Sequence, residues 1–387
     1  MSKKVKFSAF SAVFISVLCL VVGFVAGFCG FNYLNPPRAS DVYISGDLSI
    51  HFLELGNHYT GDSVYINAGG VDILVDAGSR PSSVNTIGAY LTNYVTDNKL
   101  EYVIATHADQ DHIAGFAGNN SYNSIFQLYE CETIIDFPKS NKTTDTYNRY
   151  KTQRDAEISN GATHYTALQC WNNEDGASRI IQLSDSIELE ILYNYYYEHN
   201  SSHENNYSVC FMINHGDKHF LFTGDLEEEG EEYLVEYNDL PQVEVFKAGH
   251  HGSSTSSNEC LLSVIQPKIV CVCCCAGGVE YSGDDATSEL TNTADYKEFM
   301  KGTFPTQNFI NRVFPYTVQV YVTTVGNVVY DSQIGKYVDN GSSSLNGNIV
   351  VTSSRNGVSV HCSNNDTYLK DTQWFADNRI LPANCAS

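Results

Sequence analysis

The chain has 387 residues, of which 42% are hydrophobic, with 28 glycines and only 9 prolines. This composition indicates a globular, sheet-rich protein rather than a disordered one, long enough for one large domain or two ordinary ones. The formal charge of −23 argues against a general nucleic-acid-binding protein, because Lys and Arg contacts to phosphate supply most of that affinity.

The N-terminal segment predicts a membrane anchor. Residues 7–31 form an apolar run without Asp or Glu, and three lysines precede it: Lys3, Lys4 and Lys6. At about 1.5 Å per residue, a helix over this run exceeds the ~30 Å hydrocarbon core of a bilayer. Because lysines favour the cytoplasmic side, we expect residues 1–6 in the cytoplasm and the rest of the chain outside it, at the cell membrane. A cleaved signal peptide, and therefore a secreted protein, is the alternative.

The region after the anchor is strongly acidic. A linker at 32–41 leads to a domain expected over 42–362, with a loop insertion at 277–303 and a polar, irregular tail at 363–387. Three of the 22 Lys and Arg residues precede residue 7, which leaves 19 basic against 45 acidic residues and a formal charge of −26. Such a charge repels a polyanion such as DNA at long range.

Short apolar runs separated by Gly, Asn and Asp predict a series of strands. In chain order the expected strands are Ser49–Leu55, Ser63–Asn67, Val71–Val75, Tyr102–Ala105, Ile187–Tyr193, Ser208–Asn214, His219–Thr223, Val243–Ala248, Lys268–Cys275, Thr317–Thr324, Asn348–Ser353 and Val358–His361. Helices are expected between them, at Ser82–Asp97, Leu226–Tyr237 and Phe304–Val313. Strands that alternate with helices over most of the chain predict an α/β protein.

Cysteine usage allows two interpretations. The run Cys271–Cys275 is either a metal or redox cluster or, as we favour, a buried strand in which cysteine acts as a small hydrophobic residue. The scattered cysteines could form disulfides in an oxidising exterior, in pairs that the sequence does not specify. These are Cys131, Cys170, Cys210, Cys260, Cys362 and Cys385.

The segment Thr106–Gly115 follows directly after the predicted strand Tyr102–Ala105. It places four potential metal ligands within six positions: His107, Asp109, Asp111 and His112. In a tight loop at a strand end, side chains with this spacing can converge on one point, and imidazole with carboxylate suits Zn²⁺ or Mn²⁺. The segment therefore predicts a metal site.

Three other predicted strands also end in polar residues. Asp76 follows Val71–Val75, Asp225 follows a Gly-Asp turn, and the pair His250 and His251 follows Val243–Ala248. Each feature alone is weak, since Asp after a strand is a common cap and Gly-Asp is a common turn. Their order and spacing together indicate that these strand ends share one site.

With these motifs the sequence resembles the metallo-β-lactamase superfamily, and within it the soluble hydrolase domain of competence proteins that import DNA across bacterial membranes. The resemblance extends from Ile50 to Ile349 and covers nearly the whole region after the anchor. It implies a four-layer αββα sandwich, with one or two divalent metal ions, Zn²⁺ or Mn²⁺, at strand ends between the two sheets.

The resemblance also implies a role for each motif residue. The metal ligands it implies are His107, Asp109, Asp111, His112, Asp225, one of His250 and His251, and Asn206. In this set Asp109 stands where most of the superfamily has a second histidine, and Asp225 matches a carboxylate that bridges two metals. Asp76 would hold the ligand loop by hydrogen bonds.

The sequence departs from the family pattern at two places. No counterpart of the third-motif histidine is present; Asn206 takes its place, with His203 nearby. The His-Pro that usually follows the long loop is replaced here by Phe304-Pro305. With fewer nitrogen ligands, one metal position would bind a harder ion such as Mn²⁺ or remain partly filled.

The implied chemistry is hydrolysis by a metal-bound hydroxide. In this mechanism Asp111 and Asp225 are the catalytic residues, which orient the hydroxide and accept its proton. The residues around the histidine pair would hold a substrate phosphate: Lys247, Ser253, Thr255 and Ser256. The Ser and Thr residues could equally form an ordinary solvated loop or helix cap.

Three functions remain open on these grounds. The leading hypothesis is an extracytoplasmic phosphodiesterase or nuclease of the competence-protein type, with a phosphodiester, including DNA, as substrate. The second is a hydrolase of a small ester, lactone, phosphocholine-type or β-lactam substrate, which the acidic charge does not disfavour. The third is a membrane-tethered binding protein whose metal site has decayed.

Overall fold

The computed structural model describes residues 48–279 and 290–386. The predicted anchor at residues 7–31 lies outside this part of the chain, so its membrane topology stays a prediction. Among the described residues, no helix has both the length and the apolar composition that crossing a bilayer requires.

The strands form two mixed sheets. In chain order they are β1 Leu48–Phe52, β2 Val64–Ala68, β3 Val71–Val75, β4 Lys99–Ile104, β5 Glu130–Asp136, β6 Thr163–Thr166, β7 Ile180–Gln182, β8 Ile187–Ile191, β9 Phe211–His215, β10 Lys218–Phe222, β11 Val245–Lys247, β12 Ile269–Ala276, β13 Val320–Asp331, β14 Lys336–Ser344, β15 Ile349–Ser354 and β16 Gly357–Cys362. The first sheet has the order β16-β15-β1-β2-β3-β4-β5-β6, and the second has β14-β13-β12-β11-β10-β9-β8-β7. In the first sheet the neighbouring pairs β3-β4, β4-β5 and β5-β6 are parallel. In the second sheet the neighbouring pairs β10-β11, β11-β12 and β12-β13 are parallel. The other pairs are antiparallel.

Helices connect the strands. They are α1 Ser83–Leu91, α2 Gln110–Ala117, α3 Ile125–Leu128, α4 Asp145–Asn160, α5 Ala167–Asn172, α6 Glu228–Tyr237, α7 Glu259–Ile265, α8 Thr293–Lys301, α9 Gln307–Val313 and α10 Gln373–Asn378. Short 3₁₀ turns lie at Tyr195–Tyr197, Glu204–Tyr207, Gly249–Gly252 and Leu369–Asp371.

The alternation of side chains along the strands divides the core into layers. In β12, Cys271 and Cys273 belong to the cluster shared by the two sheets, whereas Val270 and Val272 belong to a second cluster on the outer face. Phe52 of the first sheet stacks on Phe222 of the second, with ring centroids 6.3 Å apart. The two sheets therefore pack face to face.

Helices cover both outer faces of this pair of sheets. Apolar residues of α1 and α2, including Ile87 and Phe116, are buried in the cluster that contains the first sheet. Leu261 of α7, Phe309 of α9 and Phe375 of α10 are buried against the outer face of the second sheet. The order of layers is helix, sheet, sheet, helix, which agrees with the predicted αββα sandwich.

Strand register brings the polar strand ends together. Val64 of β2 lies opposite Val75 of β3, and Val75 lies beside Ile104 of β4. The segments next to these residues therefore meet at one edge of the first sheet. In the second sheet β10 and β11 run parallel, with Leu221 beside Phe246, so the segments after them leave at one edge as well.

Several elements differ from the sequence predictions. The segment 107–112 is not wholly a loop, because Asp111 and His112 lie in the first turn of α2. The insertion predicted at 277–303 contains the helix α8, while residues 280–289 lie outside the described part. The tail expected to be irregular contains α10, and Leu369 and Phe375 are buried because they cover apolar residues of the second sheet.

The cysteine run forms the buried strand that we favoured. All eight residues of β12 are buried, and burial raises the pKa of the thiols there, Cys273 among them. Each cysteine within the described residues is a free thiol. Cysteine therefore serves here as a small core residue, and no disulfide forms among the described cysteines.

Candidate metal centre

The first turn of α2 positions Asp111 and His112. Their turn is fixed to the loop after β3 by two backbone bonds: Ala77 N donates to His112 O at 2.7 Å, and Gly115 N donates to Ala77 O at 3.0 Å. A side chain at Gly115 would collide with the Ala77 carbonyl, so glycine permits this close approach. The helix that carries two potential ligands is thus locked against a strand end.

Asp76 joins this loop to the histidine of α2. Its Oδ1 accepts a hydrogen bond from Thr106 N at 2.8 Å, and its Oδ2 accepts from the Thr106 hydroxyl at 2.8 Å. The Oδ2 atom also lies 2.8 Å from His112 Nδ1. A carboxylate at Nδ1 orients the imidazole and directs the lone pair of Nε2 towards the site.

Asp225, His112 and His251 converge on one point. The Nε2 atoms of His112 and His251 each lie 3.1 Å from Asp225 Oδ2. Asp111 Oδ2 lies 3.2 Å from His251 Nε2. All four side chains are buried. We call Asp111, His112, Asp225 and His251 the inner set.

Asp62 supports the inner set from the opposite side. Its Oδ1 lies 3.0 Å from His251 Nδ1, which also lies 2.9 Å from the Cys273 carbonyl. Ligand atoms of Asp62, His112, Asp225 and His251 all fall within 4.8 Å of one another. Because Asp62 contacts Nδ1 while Asp225 faces Nε2, Asp62 orients His251 in the way that Asp76 orients His112.

Glycine lets Asp62 come this close. Asp62 N donates to the Asp111 carbonyl at 3.1 Å, next to Gly61. A Cβ at Gly61 would lie only 2.7 Å from that same carbonyl oxygen. The pair Gly61-Asp62 therefore belongs to the site. Asp62 was not predicted from the sequence as a site residue, although an Asp next to a strand was the signal by which Asp76 was found.

The inner set has a strongly negative potential. Burial would by itself lower the pKa of His112, but the carboxylates of Asp225 and Asp76 raise this pKa well above its ordinary 6.5. His251 behaves in the same way: burial would lower its pKa, but the carboxylates of Asp225 and Asp62 raise it well above 6.5. Burial would raise the pKa of Asp225, yet the nearby positive charges hold it well below 3.8. A site that holds protons so strongly also attracts a divalent cation, which displaces them.

A second group of potential ligands lies beside the inner set and consists of His107, Asp109 and His250, which we call the outer set. His107 Nε2 is 3.7 Å from Asp109 Oδ2, and the His107 ring centroid is 4.1 Å from that of His112. His250 Nδ1 lies 2.9 Å from the Thr255 hydroxyl and 3.4 Å from Asn205 Nδ2. Asp109 forms an ion pair with Lys142.

The hydrogen bonds of Thr106 define the state of His107. Since the Thr106 hydroxyl donates to Asp76, its oxygen accepts from His107 Nδ1 at 3.1 Å. His107 Nε2 then carries a lone pair, and it has no hydrogen-bond partner among the described residues. Burial and the charge of His112 keep the pKa of His107 well below 6.5, so the ring is neutral.

These residues fit a divalent cation. Asp111 Oδ1 of the inner set is a buried polar atom without a hydrogen-bond partner in the described part of the chain. Such atoms are costly unless something binds them. Imidazole nitrogens and carboxylate oxygens are the donors that Zn²⁺ and Mn²⁺ accept. The inner set could therefore hold a metal ion.

The structure corrects several predicted substrate groups. Lys247 is 2% exposed, and its ammonium forms ion pairs with Asp62 and Asp225, so it cannot reach a substrate phosphate. The Ser256 hydroxyl is buried and donates to the Leu226 carbonyl at 2.6 Å. The Ser253 hydroxyl lies 3.2 Å from that of Thr255, which in turn contacts His250. Lys247, Ser253 and Ser256 are buried and therefore build the centre, whereas Thr255 is exposed and its role as a substrate contact stays a prediction.

Asn206 is also placed differently from its prediction as a ligand. Its Oδ1 accepts from Glu227 N at 3.1 Å, and its Nδ2 donates to Ser201 Oγ at 3.2 Å. Its neighbour Asn205 is the residue that reaches His250. The 3₁₀ turn at Glu204–Tyr207 causes this exchange, because it turns consecutive side chains to different sides.

The two adjacent histidines separate for a related reason. His250 and His251 have positive φ angles of 46° and 55°, and their ring centroids are 5.9 Å apart. His251 enters the inner set, while His250 stays in the outer set. Phe304 stands where a histidine was expected and lies against both rings. Its ring centroid is 5.9 Å from that of His250 and 6.0 Å from that of His251.

Residues 201–276, which include Asp225, Lys247 and His251, match the family model of the metallo-β-lactamase superfamily. Over these residues the chain is similar to that superfamily. It is 25% identical to ComE operon protein 3 of Bacillus subtilis over 173 residues, which are 44% of this chain and 19% of that protein. It is 33% identical to Recombination protein 2 of Haemophilus influenzae over 69 residues, which are 18% of this chain and 8% of that protein.

The matches thus span about a fifth or less of these two relatives. Among solved structures, a putative metal-dependent hydrolase from Parabacteroides distasonis is similar over 72% of this chain and 98% of its own, at 14% identity and a TM-score of 0.33. The metallo-β-lactamase fold protein YhfI from Bacillus subtilis is similar over 53% of this chain and 71% of its own, at 12% identity and a TM-score of 0.33.

Proposed function

We propose that this chain is a metal-dependent hydrolase and that its substrate is a phosphodiester. The observation that carries the proposal is the convergence of two histidine Nε2 atoms on Asp225 Oδ2, each at 3.1 Å, inside a buried cluster. Imidazole nitrogens and carboxylate oxygens that face one point form a donor set for a divalent cation, which would replace the protons that they hold.

A divalent ion in the inner set would act as a Lewis acid and lower the pKa of a water molecule from its value in bulk water towards about 7. The Oδ2 atom of Asp111 contacts His251 Nε2, while its Oδ1 atom has no hydrogen-bond partner among the described residues. That oxygen can orient the attacking water and accept its proton. The lone pair of His107 Nε2 offers a second acceptor. Asp76 and Asp62 hold the imidazoles in place.

Two kinds of similarity support a phosphodiester as the substrate. The motifs resemble those of competence proteins, and the chain is similar to a protein of the ComE operon and to Recombination protein 2.

A cation is also present at the edge of the centre, because Lys142 is paired with Asp109 and its side chain is 27% exposed. An ammonium in this place could approach a phosphate oxygen.

A second candidate is hydrolysis of a small ester, lactone, phosphocholine-type or β-lactam substrate. It is favoured by a cleft of about 490 Å³ beside the outer set, in which half of the lining residues are glutamates. The lining residues are His203, Asn206, Glu227, Glu228, Glu229, Glu232, Ser254 and Thr255. Such a wall repels a polyanion and accepts a neutral or cationic group.

The test is an assay of the full-length chain, loaded separately with Mn²⁺ and Zn²⁺. The substrates are a single-stranded DNA oligonucleotide, bis(p-nitrophenyl) phosphate and a chromogenic β-lactam, and Asp111→Asn is the isosteric control. We expect metal-dependent cleavage of the phosphate diesters, loss of that activity in Asp111→Asn, and DNA cleavage that weakens with salt. Cleavage of the β-lactam alone would support the second candidate.

The binding-protein alternative has its own test, the metal content of the purified protein. A bound amount below about half an ion per chain, after loading and desalting, would favour a decayed site over both hydrolases. The location outside the cytoplasm is a separate proposal that rests on the residues before the domain. Protease accessibility of the domain in intact cells tests it.

A further inference from the structure

The inner and outer sets differ in how their charge is balanced within the protein. Four carboxylates contact the inner histidines, from Asp62, Asp76, Asp111 and Asp225, and one buried ammonium, that of Lys247, pairs with two of these carboxylates. The inner set therefore has a formal surplus of negative charge when its histidines are neutral. In the outer set the only carboxylate, that of Asp109, is already paired with the ammonium of Lys142.

The loop that carries Lys142 is fixed to the metal-ligand loop. The Glu204 carboxylate accepts from Asn141 N at 2.6 Å and from Ala108 N at 3.3 Å, and so it joins the two loops next to the ion pair. The Asn141 side chain donates to the Ser201 carbonyl at 2.8 Å. These contacts on the residue before Lys142 hold its backbone in place and leave the side chain directed at Asp109.

We propose that Lys142 is the second cation of this centre, so that one divalent ion binds in the inner set and the Lys142 ammonium takes the position of a second ion. This inference rests on the proposed function. A second ion in the outer set would need Asp109 as a ligand and would have to lie beside the ammonium already bound to it. Two positive charges on one carboxylate repel each other, and the repulsion is strong here because the Asp109 side chain is only 6% exposed.

Geometry supports the same assignment. Among the described residues, the potential ligand atoms that lie within 4.8 Å of one another belong to Asp62, His112, Asp225 and His251. No residue of the outer set belongs to this group. His250 is turned to Thr255 and Asn205. The outer set thus has a single carboxylate, that of Asp109, and Lys142 already neutralises it.

The test is the metal content of the full-length protein, measured by mass spectrometry after saturation with Mn²⁺ and desalting, together with the Mn²⁺ electron paramagnetic resonance spectrum. We expect about one ion per chain and the spectrum of an isolated ion. Lys142→Met should take up about one further ion and give the spectrum of an exchange-coupled pair. Lys142→Arg, which keeps the charge, should remain at about one.

Lys139→Met is the matched control, because Lys139 lies in the same loop but contacts the Glu198 carbonyl and the Asn200 side chain. It should remain at about one ion. The double variant Lys142→Met/His107→Ala should return to about one as well. Two ions in the unmodified protein, or one in Lys142→Met, would overturn this inference but leave the proposed function intact. No bound ion in the unmodified protein would overturn the proposed function itself.

Discussion

The inner and outer sets are built from the same residue types, yet they are supported in opposite ways. In the inner set the histidines are held at Nδ1 by Asp62 and Asp76, and their Nε2 atoms meet at Asp225. In the outer set the polar atoms are mostly occupied by other side chains, as in the ion pair of Asp109 with Lys142. The comparison teaches that ligand type does not define a metal position; the direction and charge of the supporting groups do.

The largest expected difference is between the two adjacent histidines. Since His251 Nε2 is 3.1 Å from Asp225 Oδ2, His251→Ala should reduce bound metal below about half an ion per chain and kcat/KM by more than about 100-fold. His250→Ala removes contacts of the outer set, among them those to Thr255 and Asn205. This variant should keep its metal, and its kcat/KM should fall by less than about 10-fold. Equal metal loss in both variants would remove the distinction between the sets.

The buried ammonium of the inner set should also be important for stability. Lys247→Met leaves Asp62 and Asp225 without their cation, and it should lower the free energy of unfolding of the metal-free protein by about 3–5 kcal/mol. The control is Lys268→Met, whose lysine forms an exposed pair with Glu244. This change should cost at most about 1 kcal/mol. Urea unfolding of both variants measures the difference, and similar costs would contradict the account.

The pH dependence of stability should separate the sets further. The pKa values of His112 and His251 are raised above 6.5 by carboxylates, so their charged forms stabilise the metal-free protein below pH 6.5. This contribution is lost as the pH rises through the raised folded values. The metal-free protein should therefore lose stability on going to alkaline pH, while the metal-loaded protein, whose imidazoles are neutral, should not.

His107→Gln is the control for that titration. Burial keeps the pKa of His107 below 6.5, so its ring is already neutral across the alkaline range and the variant should retain the dependence. Thermal unfolding of metal-free and metal-loaded protein from about pH 6 to about pH 9 gives the comparison. A flat profile for the metal-free protein would show that the inner histidines are not held in their charged form.

The smallest effect is expected at the edge of the outer set. Thr255→Val removes the hydroxyl that lies 2.9 Å from His250 Nδ1 on an otherwise exposed residue. The free energy of unfolding should fall by about 1 kcal/mol or less, and the metal content should not change. Metal analysis beside urea unfolding tests this. A loss of metal would place His250 among the ligands.

Much of the fold could be predicted from the sequence, because the predicted strands end in polar residues that the register brings to one edge. Val71–Val75 was predicted with its exact bounds. The strand β5 and the helix α4 were missed; α4 has a weak apolar pattern, since only Thr146, Tyr150 and Glu157 are buried along it. Local patterns do not show such elements when tertiary contacts hold them.

The site could be predicted only in part. The segment 107–112, Asp225 and the histidine pair were found from local spacing, but the contribution of Asp62 depends on a contact with His251 across 189 positions. Lys247 was assigned to substrate because a sequence does not distinguish a buried ion pair from an exposed anion-binding group. Asn206 was chosen over Asn205 because spacing alone does not give the direction of a side chain in a 3₁₀ turn.

The most direct test of the inner set is anomalous diffraction from crystals of the full-length protein grown with Zn²⁺. The account predicts an anomalous peak at about 2.0–2.2 Å from His112 Nε2, His251 Nε2 and an Asp225 oxygen. A zinc peak on His107 and His250 with none on His251 would contradict it.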